Sequence, residues 1–266
     1  AFSELDGRYL LQYGAPAGSE HYLSAVASFL EAHLGHQCER SQLFATSGNS
    51  GGLTLITRVL TRPGDTILME EPSYFLAHKI FKDHYCNFLP ASQSVEGSGT
   101  IDMEALSRSL WQQRYLTTAV ADHPFPKLLY CVPTGNNPTG RTMPDHDRAR
   151  LVGLCAEHGI RIVADDVYEL LQWKMNEAPK TLRWHAQQQG VPGTVVSLGS
   201  WSKILGPGLR LGWVEAEQDV VQMLADDGEV DSGSFTSPFV ESVVAMMIQN
   251  GSAQTHLIYL REALER

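Results

Sequence analysis

Lys203 and Arg210 stand seven residues apart in SLGSWSKILGPGLRLGW (residues 197–213), the first just after an apolar, β-branched run and the second in a turn bounded by Pro207 and Gly208. Two cations this close serve an anion, an unusual chemical task, or only solvation, which is the common state of either residue alone. Three further stretches invite the same question. In TSGNSGGL (46–53) a strand-like run passes through Ser47-Gly48-Asn49 into a helical pattern, where free N–H groups and the helix dipole suit a phosphate. That spacing is neither G-x-G-x-x-G nor G-x-x-x-x-G-K-[ST], so an ordinary tight turn reads equally well. In PTGNNPTG (133–140) Pro138 holds Asn137 in extended chain, either to donate to a ligand oxygen or to stiffen a loop. In VADDVYELLQW (163–173) a strand runs into Asp165 and Asp166, with Tyr168 three places after the first. Asp166 could cap the next segment, whereas Asp165 continues the buried strand and needs a partner there.

The elements between these stretches set where the polar residues fall. Strands are predicted at 43–46, 66–69, 85–89, 128–132, 161–164, 194–198 and 211–214, and helices at 53–60, 73–84, 103–111 and 145–158, with Asp102 as a cap. Alternating strands and helices imply an α/β fold with a mainly parallel mixed sheet. Ligands of such sheets gather where strands end and helices begin, and all four stretches lie at strand ends.

Composition narrows the classes. The 266 residues, 43% hydrophobic and 19% charged, suit a globular chain of one large domain or a large and a small one. No apolar run reaches the ~20 residues of a membrane-spanning helix, so no membrane partner is expected. A formal net charge of −10 argues against nucleic acid as a partner. Cys38, Cys86, Cys131 and Cys155 form no C-x-x-C pair and read as reduced, buried thiols. His33 and His36 read as surface or packing residues, and no metal site is expected; Trp111 and Trp184 read as packing anchors.

One chemistry uses all four stretches. Pyridoxal 5'-phosphate needs a lysine for a Schiff base, donors and a cation for its phosphate, a carboxylate for the pyridine nitrogen, and donors to the ring oxygen. The lysine amine is then placed to move a proton at the substrate α-carbon.

At these residues the chain resembles the fold type I, class I/II aminotransferases. The resemblance rests on YGAPAG (13–18), SGNSGGL (47–53), EEPSYF (70–75), NNPTG (136–140), DDVY (165–168) and SWSKILGPGLRLGW (200–213), in the family's order over about three quarters of the chain. It implies a three-layer α/β/α aminotransferase-like large domain. It also implies that Lys203 is the Schiff-base lysine, that Ser47, Gly48, Asn49, Ser200 and Arg210 hold the phosphate, and that Asp165 meets the pyridine nitrogen. Asn137 and Tyr168 would donate to the ring oxygen, and Tyr74 would stack on the ring. Tyr13 resembles a tyrosine that reaches the neighbouring subunit's phosphate in family homodimers. The implied reaction moves an amino group from an L-amino acid to a 2-oxo acid, in amino-acid metabolism and its biosynthetic processes. DDVYELLQW and PTGNNPTG look most like the 2-aminoadipate and kynurenine-type enzymes. A β-lyase, a cyclising lyase and a non-catalytic cofactor-binding or dimerisation module share these motifs and stay open as alternatives.

Family chains run further at both ends. Residues 1–250 are therefore expected to form the cofactor-binding large domain, and 251–266 the start of a small domain that would carry an arginine for the substrate carboxylate. Such a chain is expected to hold the cofactor but transaminate poorly, and to be cytoplasmic.

Overall fold

The computed structural model describes residues 10–92, 100–119, 125–172, 178–233 and 235–265. Among the described residues seven strands pair in the order β1-β7-β6-β5-β4-β2-β3: β1 (Leu43–Thr46), β2 (Thr66–Glu71), β3 (Asn87–Ser92), β4 (Leu128–Cys131), β5 (Arg161–Asp165), β6 (Val195–Ser200) and β7 (Gly212–Glu215). β2 pairs in parallel with β3 and β4, and β4 in parallel with β5, while β1 and β7 are antiparallel. This is the expected α/β fold with a mainly parallel mixed sheet. Strands β1, β4, β6 and β7 are buried along their whole length, so apolar residues stand side by side in them, as in Leu43–Ala45 and Leu128–Cys131, instead of alternating with exposed polar ones.

The helices among the described residues are α1 (Glu20–Leu34), α2 (Asn49–Leu60), α3 (Phe75–Asp83), α4 (Met103–Ala119), α5 (Asp145–His158), α6 (Leu182–Gln188), α7 (Gln218–Ala225), α8 (Gly228–Asp231), α9 (Pro238–Gln249) and α10 (Ser252–Glu265). Their ends obey local chemistry. The Ser19 hydroxyl accepts from the Tyr22 N–H to start α1, and Gly35 at φ 69° ends it. The Asp102 carboxylate accepts from the Ala105 N–H at 2.9 Å, the predicted cap of α4.

The chain divides into two compact units. One comprises residues 1–52, 170–178 and 198–266; the other comprises 53–169 and 179–197, so β6 runs through both. In the first, a core of Tyr22, Val26, Phe29, Leu43, Trp201, Trp213 and Val244 surrounds α1, and Ala253 and Leu257 of α10 belong to it. In the second, Leu68, Leu106, Leu129, Cys131, Leu151, Cys155, Ile162 and Val195 pack between α4, α5, α6 and the strands. All four cysteines are free and buried: Cys38 in the first unit, and Cys86, Cys131 and Cys155 in the second. Burial raises the thiol pKa of Cys86, Cys131 and Cys155.

Several boundaries and burials differ from the sequence expectation, among them the end of α4, which runs on to Ala119 instead of stopping at 111. α2 begins at Asn49, not Leu53, taking in Gly51 and Gly52. A Cβ at Gly51 would lie 2.1 Å from Ser47 Oγ, and one at Gly52 2.7 Å from Leu198 Cδ2, so these glycines permit close approach instead of breaking the helix. β3 begins at Asn87 because Tyr85, at φ 60°, is still part of the turn after α3. Trp111 does not anchor packing: it is 59% exposed, with its ring edge against His158. His36 is buried, as a packing role requires, with Nε2 3.0 Å from the Glu215 carboxylate.

Gly199 in β6 tests how tightly this packing is set. A Cβ there would lie 2.1 Å from the Trp213 indole. Gly199→Ala is expected to destabilise the chain by about 1–3 kcal/mol, read as a lowered midpoint in chemical denaturation.

Candidate functional site

In the second unit, the C-terminal end of β5 delivers Asp165, 4% exposed, into a polar cluster. Its Oδ2 accepts from the Tyr130 hydroxyl at 2.6 Å. Tyr130 is fully buried on the neighbouring strand β4, its ring edge-on to Phe81. Tyr168 comes one turn after Asp165. Its phenol pKa is raised by partial burial, then by the charge of Asp165, then by Tyr74, so these three predicted site residues share one environment. Tyr74 precedes α3, where its extended backbone starts the helix. Asn137 lies half-buried in the loop after β4. That loop is held from within: Asn136 Oδ1 accepts from the Thr139 N–H and hydroxyl, and the Gly140 N–H returns to the Asn136 carbonyl at 2.6 Å.

Arg148 of α5 ties these loops together. Fully buried, it donates from Nε to the Met143 carbonyl, from Nη1 to the Glu169 carboxylate and the Lys180 carbonyl, and from Nη2 to the Pro133 carbonyl and the Thr134 hydroxyl. Thr134 in turn donates to Glu169. Asp166, beside them, accepts from Ser197 Oγ at 2.5 Å through Oδ2, while its Oδ1 is buried without a partner. It does not cap the following turn by its side chain. Burial first, and then the Glu169 charge, push its carboxyl up to about 8, against the smaller opposing effects of Ser197 and Arg148.

In the first unit, β1 runs through Ser47 and Gly48 into α2. The Gly52 N–H bonds to the Gly48 carbonyl, so the N–H groups of residues 49–51 lie ahead of the helical ladder. Arg210 closes over this turn. Its Nη2 donates to the Ser47 carbonyl at 3.3 Å, and a Cβ on Gly48 would lie 3.2 Å from that nitrogen. Gly48 takes φ 83°, and Arg210 itself φ 45°, a backbone region non-glycine residues rarely occupy. Asn49 Oδ1 is buried at the same turn with no hydrogen-bond partner. A guanidinium and the free N–H groups of a helix N-terminus together fit a phosphate.

Lys203 ends a short 3-10 turn (Trp201–Lys203) directly after β6, and its side chain is exposed. The turn is rigid at its base. Trp201 Nε1 donates to Tyr22 OH at 2.9 Å, and Tyr22 OH donates to the Gly212 carbonyl at 3.0 Å. Ser200, 2% exposed, caps the turn: its Oγ accepts from the Ser202 N–H and donates to Ser202 Oγ at 2.9 Å. Tyr13 is 84% exposed, its ring over Gly233, where a Cβ would lie 3.0 Å from Cδ1.

The first unit thus gathers Ser47, Gly48, Asn49 and Arg210 around one turn and holds Ser200 and Lys203 on another. The second gathers Asp165, Tyr168 and Tyr74. Sequence reading missed Tyr130, Arg148, Glu169 and Ser197. Tyr130 hides in an apolar strand, but an aromatic with a hydroxyl in a fully buried run must find a partner, and that was its only signal.

The family profile described as aminotransferase class I and II matches residues 1–266, and the chain belongs to that family. It is 28% identical over 247 residues to aromatic-amino-acid aminotransferase 1 of Thermococcus litoralis, covering 93% of this chain and 56% of that one. It is 31% identical over 218 residues to the 2-aminoadipate transaminase of Thermus thermophilus, covering 82% and 49%. The crystal structure of Pyrococcus horikoshii kynurenine aminotransferase, in complex with PMP, superposes with a TM-score of 0.84 at 25% identity, over 98% of this chain and 61% of that one. The chain spans about half the length of the curated relatives it matches.

Asp166 gives the second unit a pH dependence. Its carboxyl, at about 8 in the folded chain against an ordinary 3.8, keeps its proton on folding where the unfolded chain has lost it. Its contribution is therefore fully present below about pH 4 and is lost as pH rises toward about 8. Asp166→Asn in the cofactor-free chain is expected to match the parent near pH 4 and to melt higher, by roughly a few °C, near pH 8. Thermal melts across that range check it; a gap independent of pH would refute the shifted carboxyl.

Proposed function

We propose that this chain binds pyridoxal 5'-phosphate at Lys203 and takes part in transfer of an amino group from an L-amino acid to a 2-oxo acid. The observation that carries the reading is the phosphate cradle, in which the Arg210 guanidinium closes on the turn that opens α2. The class I and II family match over the whole chain supports it. When bound, pyridoxal phosphate supplies an electron sink that stabilises negative charge at the substrate α-carbon.

The chain's own residues do the rest. Arg210, the hydroxyls of Ser47 and Ser200, and the N–H groups at Gly48 and Asn49 would neutralise and orient the phosphate. Asp165, ionised, would hold a proton on the pyridine nitrogen. Asn137 and Tyr168 would donate to the ring oxygen, and Tyr74 would cover a ring face. Lys203 would carry the cofactor and then, as a free amine, move the proton at the substrate α-carbon. The relatives' names point to aromatic, aminoadipate or kynurenine-like amino acids as the substrate class. Tyr13, with its ring exposed, is assigned to the phosphate of a second copy in a homodimer.

Two experiments test the reading. Incubation with pyridoxal phosphate, borohydride reduction and peptide mapping is expected to place the adduct on Lys203; an adduct confined to another lysine would refute the assignment. Asp165→Ala is expected to slow exchange of the substrate α-proton about a hundredfold, a loss of ~2.7 kcal/mol in transition-state stabilisation. Asp166→Ala should have a much smaller effect, and the reverse order would show that the two carboxylates had been exchanged.

A further inference from the structure

We propose that Tyr130 is a positioning residue for this reaction, acting through Asp165: its hydroxyl fixes one carboxylate oxygen and keeps the carboxylate ionised to receive the pyridine nitrogen. The inference rests on the proposed function for one point, the assignment of Asp165 to that nitrogen.

β4 and β5 are parallel neighbours with Tyr130 opposite Val163, so Asp165, two residues beyond Val163, falls on the same face of the sheet as Tyr130. The hydroxyl reaches Asp165 Oδ2 at 2.6 Å, within the range of a hydroxyl donating to a charged oxygen. Both residues are buried, and the tyrosine ring is held edge-on against Phe81, so neither partner has a solvent-facing alternative. A buried hydroxyl with no task is costly, and phenylalanine would fill the same space without it.

The surroundings explain why a neutral donor is needed. Burial raises the phenol pKa of Tyr130 most, then Asp165, and least of all Glu70, which accepts from the Val132 N–H at 2.9 Å. Asp166 and Glu169 add carboxylates to the same unit, and the guanidinium of Arg148 is spent on Glu169, Thr134 and three carbonyls. Among so many acids, a carboxylate without a donor tends to take up a proton. A tyrosine hydroxyl opposes this by bonding to the charged form, and it adds no positive charge that would compete with a protonated ring nitrogen. The proton stays on the phenol, because burial and the Asp165 charge hold Tyr130 well above its ordinary range.

The test reads the cofactor nitrogen itself. The chain is loaded with 15N-labelled pyridoxal phosphate, and the pyridine nitrogen signal is compared in the parent, Tyr130→Phe, Asp165→Asn and the double variant. Tyr130→Phe is expected to keep the cofactor on Lys203 and to move the signal toward the unprotonated nitrogen. It should also slow α-proton exchange about tenfold. Asp165→Asn should move the signal further, and adding Tyr130→Phe to it should change nothing more. Site-specific fluorotyrosine at position 130 keeps the ring and strengthens the donor, and should shift the signal the other way; it serves equally if Tyr130→Phe does not fold. A nitrogen signal that Asp165→Asn moves and both changes at position 130 leave in place overturns the role of Tyr130 alone. A signal that Asp165→Asn does not move overturns the assignment of Asp165, and the role of Tyr130 falls with it.

Discussion

The second unit depends on the satisfaction of one buried cation. Arg148 has five N–H donors, and bonds from all three guanidinium nitrogens reach the Pro133–Thr134 segment, Met143, Glu169 and Lys180. Those four stretches are separate in sequence. A guanidinium is planar and always charged, so it fixes them in direction as well as in distance. Removing it would leave the buried Glu169 carboxylate without its cation, a loss of about 3–5 kcal/mol by the usual cost of breaking such a pair. The loop carrying Asn137 and the turn carrying Asp165 and Tyr168 are therefore held by a residue that touches none of the three. The chemistry is exposed at the strand ends, but its precision comes from an arginine beneath them.

The charged residues assigned to the cofactor are divided between the two units. The cations proposed for the cofactor, Lys203 and Arg210, lie in the first unit, at the end of β6 and over the start of α2. The acids Glu70, Asp165, Asp166 and Glu169 lie in the second. Arg210 and the N–H groups of its turn suit an anion by local geometry and not by the charge of their unit, which is net acidic.

How much could be read from the sequence depends on how local each signal is. The interval from Asp165 to Tyr168 and the turn around Ser47-Gly48-Asn49 are set within a few residues, so strand-end logic found them. β4 was legible because full burial makes it a continuous apolar run, and α5 was legible from Leu151, Leu154 and Cys155 on one side of a helical period. Gly51 and Gly52 misled because propensity counts them as helix breakers, whereas the space beside Ser47 and Leu198 demands them. Arg148 and Glu169 look like ordinary helix and loop charges, and only tertiary burial gives them a role. Tyr130 reads as one more apolar strand residue until β5 is laid beside it.

The distribution of thiols makes the chain its own reporter of local opening. Cys38 is the thiol of the first unit, and Cys86, Cys131 and Cys155 belong to the second. All are shielded in the folded state, and the raised thiol pKa values of the last three slow reaction further. A slow alkylating reagent therefore marks a unit only when that unit unfolds. Intact mass then separates the events by stoichiometry, one added label for the first unit and three for the second.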